Sequence, residues 1–364
     1  MAVSAADPSC SAAGGELKVT SGTLMLHLLG RCNLRCKHCY MDGSPSRREE
    51  LPLDSVLDAI SECKRLGITN LFLTGGETLL YRGLDAVLDA AASIPGLSIT
   101  IATNGMLVKP SHATRFGDLG VQVNVSIDGT EEFHDRFRCH SGAFRATEKG
   151  VRLLVADGVR VAIATTITRT NLKSLPETVR WASQVGAETV FVLPLLQLGR
   201  ATEIAEECLT DTEMDLMLLQ LSDLGNAHRA DGLKCRLNGV ATRRFLTAHP
   251  CGAYVCNGPS CHRGVTRELK KLIVREDGTV LPEITNISPR FALGHFGDAS
   301  LTDLIARYLE VGYERFDALC RAAYVDVLPT WRSTIVPWDA IVAARSYTWV
   351  EGTVAIAAEF GCGA

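Results

Sequence analysis

The chain has no excess of positive charge: 37 Lys and Arg stand against 41 Asp and Glu, a formal net charge of −4. A protein built to grip a polyanion carries a basic footprint, so nothing in this balance points to a nucleic-acid partner. No apolar run is long and clean enough to span a bilayer. The first 20 residues are rich in Ala, Ser and Gly and have no basic stretch followed by an apolar one, so no secretory signal is read there. Thirteen cysteines without an export signal argue against a disulfide scaffold. They fit a reducing cytoplasm and metal ligation better. What remains is an ordinary globular composition, 46% hydrophobic and 21% charged over 364 residues. That length allows one large α/β domain, or one domain plus an extension.

The most informative segment is Arg31-Cys32-Asn33-Leu34-Arg35-Cys36-Lys37-His38-Cys39-Tyr40. Its spacing is C-x3-C-x2-C. Three thiolates this close can hold three irons of a cubane [4Fe–4S] cluster and leave the fourth iron open to a substrate or cofactor. Zinc is the competing reading. Zinc usually takes four protein ligands, and His38, the available fourth, has neighbours that would strain such a site.

Residues 1–22 read as a flexible leader. The chain then alternates. Apolar runs at Leu24–Leu29, Asn70–Thr74, Ser98–Thr103, Val121–Ile127, Val159–Ile167 and Thr189–Leu193 read as buried parallel strands. Helical patterns fall between them at Leu53–Leu66, Leu84–Ile94, Ser111–Leu119, Ala143–Ala156 and Leu172–Val185. The expected fold is α/β: a partial (β/α)6 barrel over 23–200, followed by an α+β extension over 201–364.

Three strand ends carry polar or glycine-rich residues: Thr74-Gly75-Gly76-Glu77, Thr103-Asn104-Gly105 and Ser126-Ile127-Asp128-Gly129. In barrels of this kind the active site lies at the C-terminal ends of the strands. The cysteine loop, after the first strand, opens on the same face.

Taken together, these features resemble the radical S-adenosylmethionine (SAM) superfamily over about residues 22–200. Cys39-Tyr40, Thr103-Asn104-Gly105 and Ser126-Ile127-Asp128-Gly129 fit its molybdopterin, nitrogenase-cofactor and pyrroloquinoline-quinone maturase branch. The resemblance implies a [4Fe–4S] cluster on Cys32, Cys36 and Cys39, whose open iron chelates the methionine part of SAM. It implies His38 near the adenine, or simply packed in the loop. Gly75 and Gly76 would let the backbone approach the SAM amino group, since a side chain would block it. Glu77 would be structural or a weak polar contact. Ser126 and Asp128 are candidates for the ribose hydroxyls, and Asn104 for a ligand contact or a brace. Arg138 and Arg200 would meet a carboxylate of SAM or of substrate, or form surface ion pairs. Thr78 stands where the family usually has proline, with a small expected effect. The implied chemistry is reductive cleavage of SAM to methionine and a 5′-deoxyadenosyl radical, which takes hydrogen from an unactivated carbon. An electron donor such as flavodoxin or ferredoxin would feed it.

Many relatives carry a cysteine-rich SPASM extension that opens C-x9–15-G-x4-C. Here Cys261 is followed by sixteen residues, Gly278, and then Thr279-Val280-Leu281-Pro282-Glu283, so glutamate stands at the second cysteine position. Downstream only Cys320 and Cys362 remain. This reads as a degenerate SPASM-like extension without its usual clusters. Cys235, Cys251, Cys256 and Cys261 are a possible second metal site, or free thiols.

Two enzymatic readings follow. The first is a natural-product (antibiotic) enzyme acting on a small polar sugar or nucleoside. Proportions and motif positions are similar to the radical SAM decarboxylases that act on cytosylglucuronate. Arg138, Arg200 or Arg263 would then hold a carboxylate through two hydrogen bonds. An epimerase would instead need a hydrogen-donating thiol such as Cys139, Cys208 or Cys235. No added N-terminal module of leader-binding size is seen, which favours this reading. The second is a maturase of a ribosomally made peptide, supported by the residual SPASM frame. The intact triad argues against a non-catalytic scaffold.

Overall fold

A computed structural model describes residues 22–255 and 269–350, with the side chain of Cys251 left out. The leader expected over 1–22 lies outside them except for Gly22, which opens the first strand. Six parallel strands form the heart of the molecule: β1 (Gly22–His27), β2 (Ile68–Thr74), β3 (Ser98–Thr103), β4 (Gln122–Ser126), β5 (Arg160–Ile167) and β6 (Thr189–Pro194). They pair in sequence order, as successive right-handed βα units do.

The helices that connect them are α1 (Leu53–Leu66), α2 (Leu84–Ala92), α3 (Pro110–Asp118), α4 (Glu131–Phe137) with α5 (Ala143–Ala156), and α6 (Leu175–Gln184). Local sequence sets their ends. Pro52 has an extended backbone before α1, and Gly67 closes it in the left-handed region at φ 68°. Between these signals Val56, Ala59, Ile60, Cys63 and Leu66 recur at helical spacing and are buried.

Strand alternation divides the sheet into two faces. Leu24, Leu71, Ile99, Ile101, Val123, Val161, Ile163 and Val190 are at most 4% exposed and share one core with the helices. The opposite face carries half-buried residues such as Met25, Phe72, Asn124, Ser126, Ala164 and Phe191. An open inner face of this kind is where a partial barrel receives its ligands.

The strands after residue 200 continue the same sheet on both edges. Following α7 (Asp211–Ala227), β7 (Lys234–Leu237) pairs with β6. A short β8 (Ala241–Thr242) and α8 (Arg243–Ala248) come next. Then β9 (Lys271–Val274) pairs parallel to β1, and β10 (Thr279–Pro282) and β11 (Gly294–His295) add antiparallel beyond it. The ten-stranded order is β11-β10-β9-β1-β2-β3-β4-β5-β6-β7. A helix over 301–307 packs against α1, helices over 313–327 and 338–348 pack against each other, and β12 (Ile335–Val336) pairs with β8. This is a mixed α/β fold with a mostly parallel sheet.

Candidate active site at the C-terminal ends of the strands

The cysteine loop fills the connection between β1 and α1. It folds back on itself: Gly30 N–H donates to the Glu49 carbonyl at 2.8 Å, and Cys32 N–H to the Ser44 carbonyl at 3.0 Å. Cys32 and Cys36 are buried and Cys39 is half-buried. Backbone N–H groups point at two of the sulfurs, Leu34 to Cys32 Sγ at 3.4 Å and Gly43 to Cys39 Sγ at 3.3 Å. Burial pushes the Cys32 thiol up to about 12 and the Cys36 thiol to about 11. Iron bound there would supply the positive charge that replaces those protons. Among the described residues, no three His, Cys, Asp or Glu side chains converge as the ligands of a single ion would. Buried thiols with amide donors aimed at sulfur suit cluster thiolates, whose charge such donors stabilise.

Gly75 and Gly76 approach the loop's own backbone. A Cβ on Gly75, at φ +140°, would lie 2.6 Å from the Leu29 carbonyl oxygen, and one on Gly76 would lie 2.2 Å from that of Arg31. Gly76 N–H donates to the Leu29 carbonyl at 2.7 Å, and Glu77 N–H to that of Arg31 at 3.0 Å. Glu77 is a buried brace. Its carboxylate accepts from the Thr103 hydroxyl at 2.6 Å, Asn104 N–H at 2.8 Å and Leu79 N–H at 3.1 Å. Asn104 carries the brace onward, donating to Asn33 Oδ1 at 2.7 Å, with its Nδ2 4.0 Å from Cys32 Sγ. The β2 and β3 ends thus lock the first cysteine.

Asp128 follows β4 and is fully buried. Its Oδ1 accepts from Thr166 N–H at 3.0 Å. Its Oδ2 is 2.7 Å from Arg138 Nη2 and 3.5 Å from His38 Nε2. Asp128 thus faces the Arg138 guanidinium and the His38 ring. Burial, which pushes its carboxyl up, is outweighed by Arg138, His38 and His134, so it lies below the usual range. The His38 ring stacks on Phe137 with centroids 4.3 Å apart, and burial lowers its pKa to about 4. Ser126 ends β4 half-buried on the inner face. Arg138 is buried, with Nη1 4.0 Å from Cys36 Sγ. Arg200 binds the cysteine loop itself, donating to the Cys36 and Gly43 carbonyls at 2.9 Å each. Both arginines expected to hold a substrate carboxylate are therefore engaged by protein groups.

The model of the radical SAM superfamily matches residues 26–182, the stretch that builds this site. Over 193 residues the chain is 33% identical to the AdoMet-dependent heme synthase of Nitratidesulfovibrio vulgaris, covering 51% of this chain and 52% of that protein. Over 179 residues it is 28% identical to the sporulation killing factor maturation protein SkfB of Bacillus subtilis, covering 49% and 43%. The chain spans about half the length of the curated relatives it matches. The structure of Streptococcus suis SuiB bound to S-adenosylmethionine shares the fold, with a TM-score of 0.65 at 16% identity over 83% of this chain and 68% of that one. Radical SAM relatives bind SAM and a [4Fe–4S] cluster.

Beyond residues 26–182, the possible second metal site is only partly within the described residues. Cys256 and Cys261 lie outside the described residues, as do Arg263 and Cys362. Cys235 lies on β7, packed against the main core. Cys208 follows β6, with its thiol 3.6 Å from the Leu195 carbonyl, and Cys139 is exposed after α4. No described helix is long and apolar enough to cross a membrane. Sequence reasoning missed Asn33, whose side chain joins Asn104 to the loop, and the Arg47–Glu276 pair at 2.8 Å. Asn33 lies inside the cysteine motif, and that position was its only signal.

Proposed function

We propose that the chain is a radical SAM enzyme acting on a peptide, with Cys32, Cys36 and Cys39 as the cluster ligands. The observation that carries the chemistry is the cysteine loop: two buried thiols and one half-buried, with amide donors at sulfur, locked by Glu77 and Asn104. When bound, the cluster and SAM supply one-electron cleavage of a sulfur–carbon bond and abstraction of hydrogen from an unactivated carbon. The protein binds, orients and excludes water. Gly75 and Gly76 let the end of β2 close on the cysteine loop, and Ser126 offers a hydroxyl to the SAM ribose. Arg138, held by Asp128, sets a fixed positive charge beside Cys36. A reducing cytoplasm and a flavodoxin or ferredoxin donor go with this reading. So does a division into a leader (1–22), a radical SAM barrel (23–200) and an extension (201–364) that selects substrate.

The peptide substrate is supported by the match to SkfB and by the SuiB fold. The latter covers 82% of this chain in the structure bound to precursor peptide SuiA, well beyond residue 182. The heme synthase match favours a second reading, a small-molecule substrate such as a sugar or nucleoside, with decarboxylation as one outcome. That reading needs another cation for the carboxylate, because Asp128 and the cysteine loop hold Arg138 and Arg200. The deciding experiment offers the reconstituted enzyme either a short peptide encoded beside its gene or a panel of sugar and nucleoside acids. A mass change in the peptide that tracks 5′-deoxyadenosine supports the peptide reading. Carbon dioxide release from an acid with an unchanged peptide supports the second and rejects the first.

A further inference from the structure

The turn between β9 and β10 reaches back over the cysteine loop. Glu276, in that turn, is 3% exposed, and its Oε1 accepts from Arg47 Nη2 at 2.8 Å. Arg47 lies in the segment after Cys39 and is 229 positions away in the chain. Its remaining donors hold that segment together. Nη1 donates to the Met41 carbonyl at 3.2 Å, and Nε to Glu49 at 2.7 Å. The guanidinium also covers Gly30, where a Cβ would come to 3.0 Å from Nε. Two more groups face Glu276. His27, the last residue of β1, has Nδ1 3.8 Å from Oε2, and Arg275 is 3.8 Å from Oε1. The end of β1, the cysteine loop and the C-terminal hairpin therefore meet on one carboxylate. Burial, which pushes that carboxyl up, is outweighed by His27 and Arg275, and it lies at about 2, ionised at neutral pH.

We propose that Glu276 is a positioning residue for the cysteine loop: acting through Arg47, it fixes the segment after the third cysteine and ties it to the C-terminal hairpin. This rests on the reading of Cys32, Cys36 and Cys39 as cluster ligands. A buried anion that holds a half-buried arginine fixes geometry because the buried carboxylate would lose its closest hydrogen-bonded cation without it. Partners one shell removed from a metal orient its ligands and tune what the metal binds. The hairpin belongs to the part of the chain that selects substrate, so the pair gives that part a direct grip on the SAM-binding loop.

The test uses the full-length protein, reconstituted anaerobically. It reads the electron paramagnetic resonance spectrum of the reduced cluster with and without SAM, together with the SAM dissociation constant. Glu276→Ala and Arg47→Ala should each weaken SAM binding on the order of 10-fold and shift the SAM-bound spectrum. The double variant should be no weaker than either single, because one interaction is lost once. Glu276→Gln, which keeps an acceptor for Arg47, should recover most of the affinity. Additive losses, or wild-type affinity and spectrum in Glu276→Ala, overturn the proposal. If circular dichroism shows either alanine variant unfolded, Glu276→Asp, whose shorter side chain withdraws from Arg47, and Arg47→Lys enter the same cycle, and non-additive or additive losses decide it the same way. A wild-type protein with no SAM-sensitive cluster signal rejects the cluster reading and this inference together. A normal wild-type signal with unaffected variants rejects the inference alone.

Discussion

Arg138 Nη2 stands 2.7 Å from Asp128 Oδ2 while its Nη1 stands 4.0 Å from Cys36 Sγ, with both side chains buried. One guanidinium bridges a carboxylate at the end of β4 and a sulfur of the cysteine loop. A buried ion pair contributes less than its Coulomb energy suggests, because both charges have left water. Removing one partner is costly for the same reason.

Arg138→Met should therefore lower folding stability by about 3–5 kcal/mol, by leaving a buried carboxylate unpaired. Urea denaturation of the apoprotein measures it. Replacing Asp128 by Asn as well should recover part of the loss. Because the Asp128 carboxyl is held below its usual value, its contribution is present above about pH 4 and disappears as the pH falls through the lowered value. An Arg138→Met protein as stable as wild type would contradict the pairing.

Iron content separates one metal centre from two. Reconstituted wild type should hold about four irons per chain. The combined Cys32→Ala, Cys36→Ala and Cys39→Ala protein should hold none. About four irons surviving in that variant would place a cluster on the C-terminal cysteines instead.

Gly76→Ala tests the contact between β2 and the cysteine loop. Its Cβ would meet the Arg31 carbonyl oxygen at 2.2 Å, a backbone atom that has no rotamer to escape to. The expected cost is about 1–3 kcal/mol, together with reduced iron uptake. Thermal melts and iron analysis read both, and normal values in each would remove the argument for close approach.

Glu283 should give the protein a pH signature. Burial raises its carboxyl from 4.5 to about 7 despite N–H donors at Lys270 and Lys271. The folded state then binds a proton that the unfolded state has released, so stability falls as pH rises from about 4.5 to 7. The contribution amounts to on the order of 3 kcal/mol. Glu283→Gln should flatten that part of the stability curve and be the more stable protein at pH 8. An unchanged pH dependence in the variant would show that Glu283 titrates normally.

Much of the fold is legible locally. The expected bounds of β3, α1 and α5 agree with the structure, because periodic apolar residues end at turn-forming ones such as Gly67. The helix α4 escaped notice: seven residues are too few to establish a helical period. Pairing between β9 and β1 joins residues more than two hundred positions apart and leaves no trace in local pattern. The site divides in the same way. Cluster chemistry demands cysteines at fixed spacing, so the triad is visible as a motif. Arg138, Asp128 and Arg200 could be named from sequence, but which groups they face depends on the fold. Glu276 gave no signal, since its partner Arg47 comes from the other end of the chain.

The most direct test is the SAM cleavage assay. Anaerobically reconstituted protein, reduced with dithionite and given SAM, should release 5′-deoxyadenosine and methionine in equal amounts, and the three-cysteine variant should release neither. A wild-type protein that carries about four irons per chain yet forms no 5′-deoxyadenosine would contradict the account.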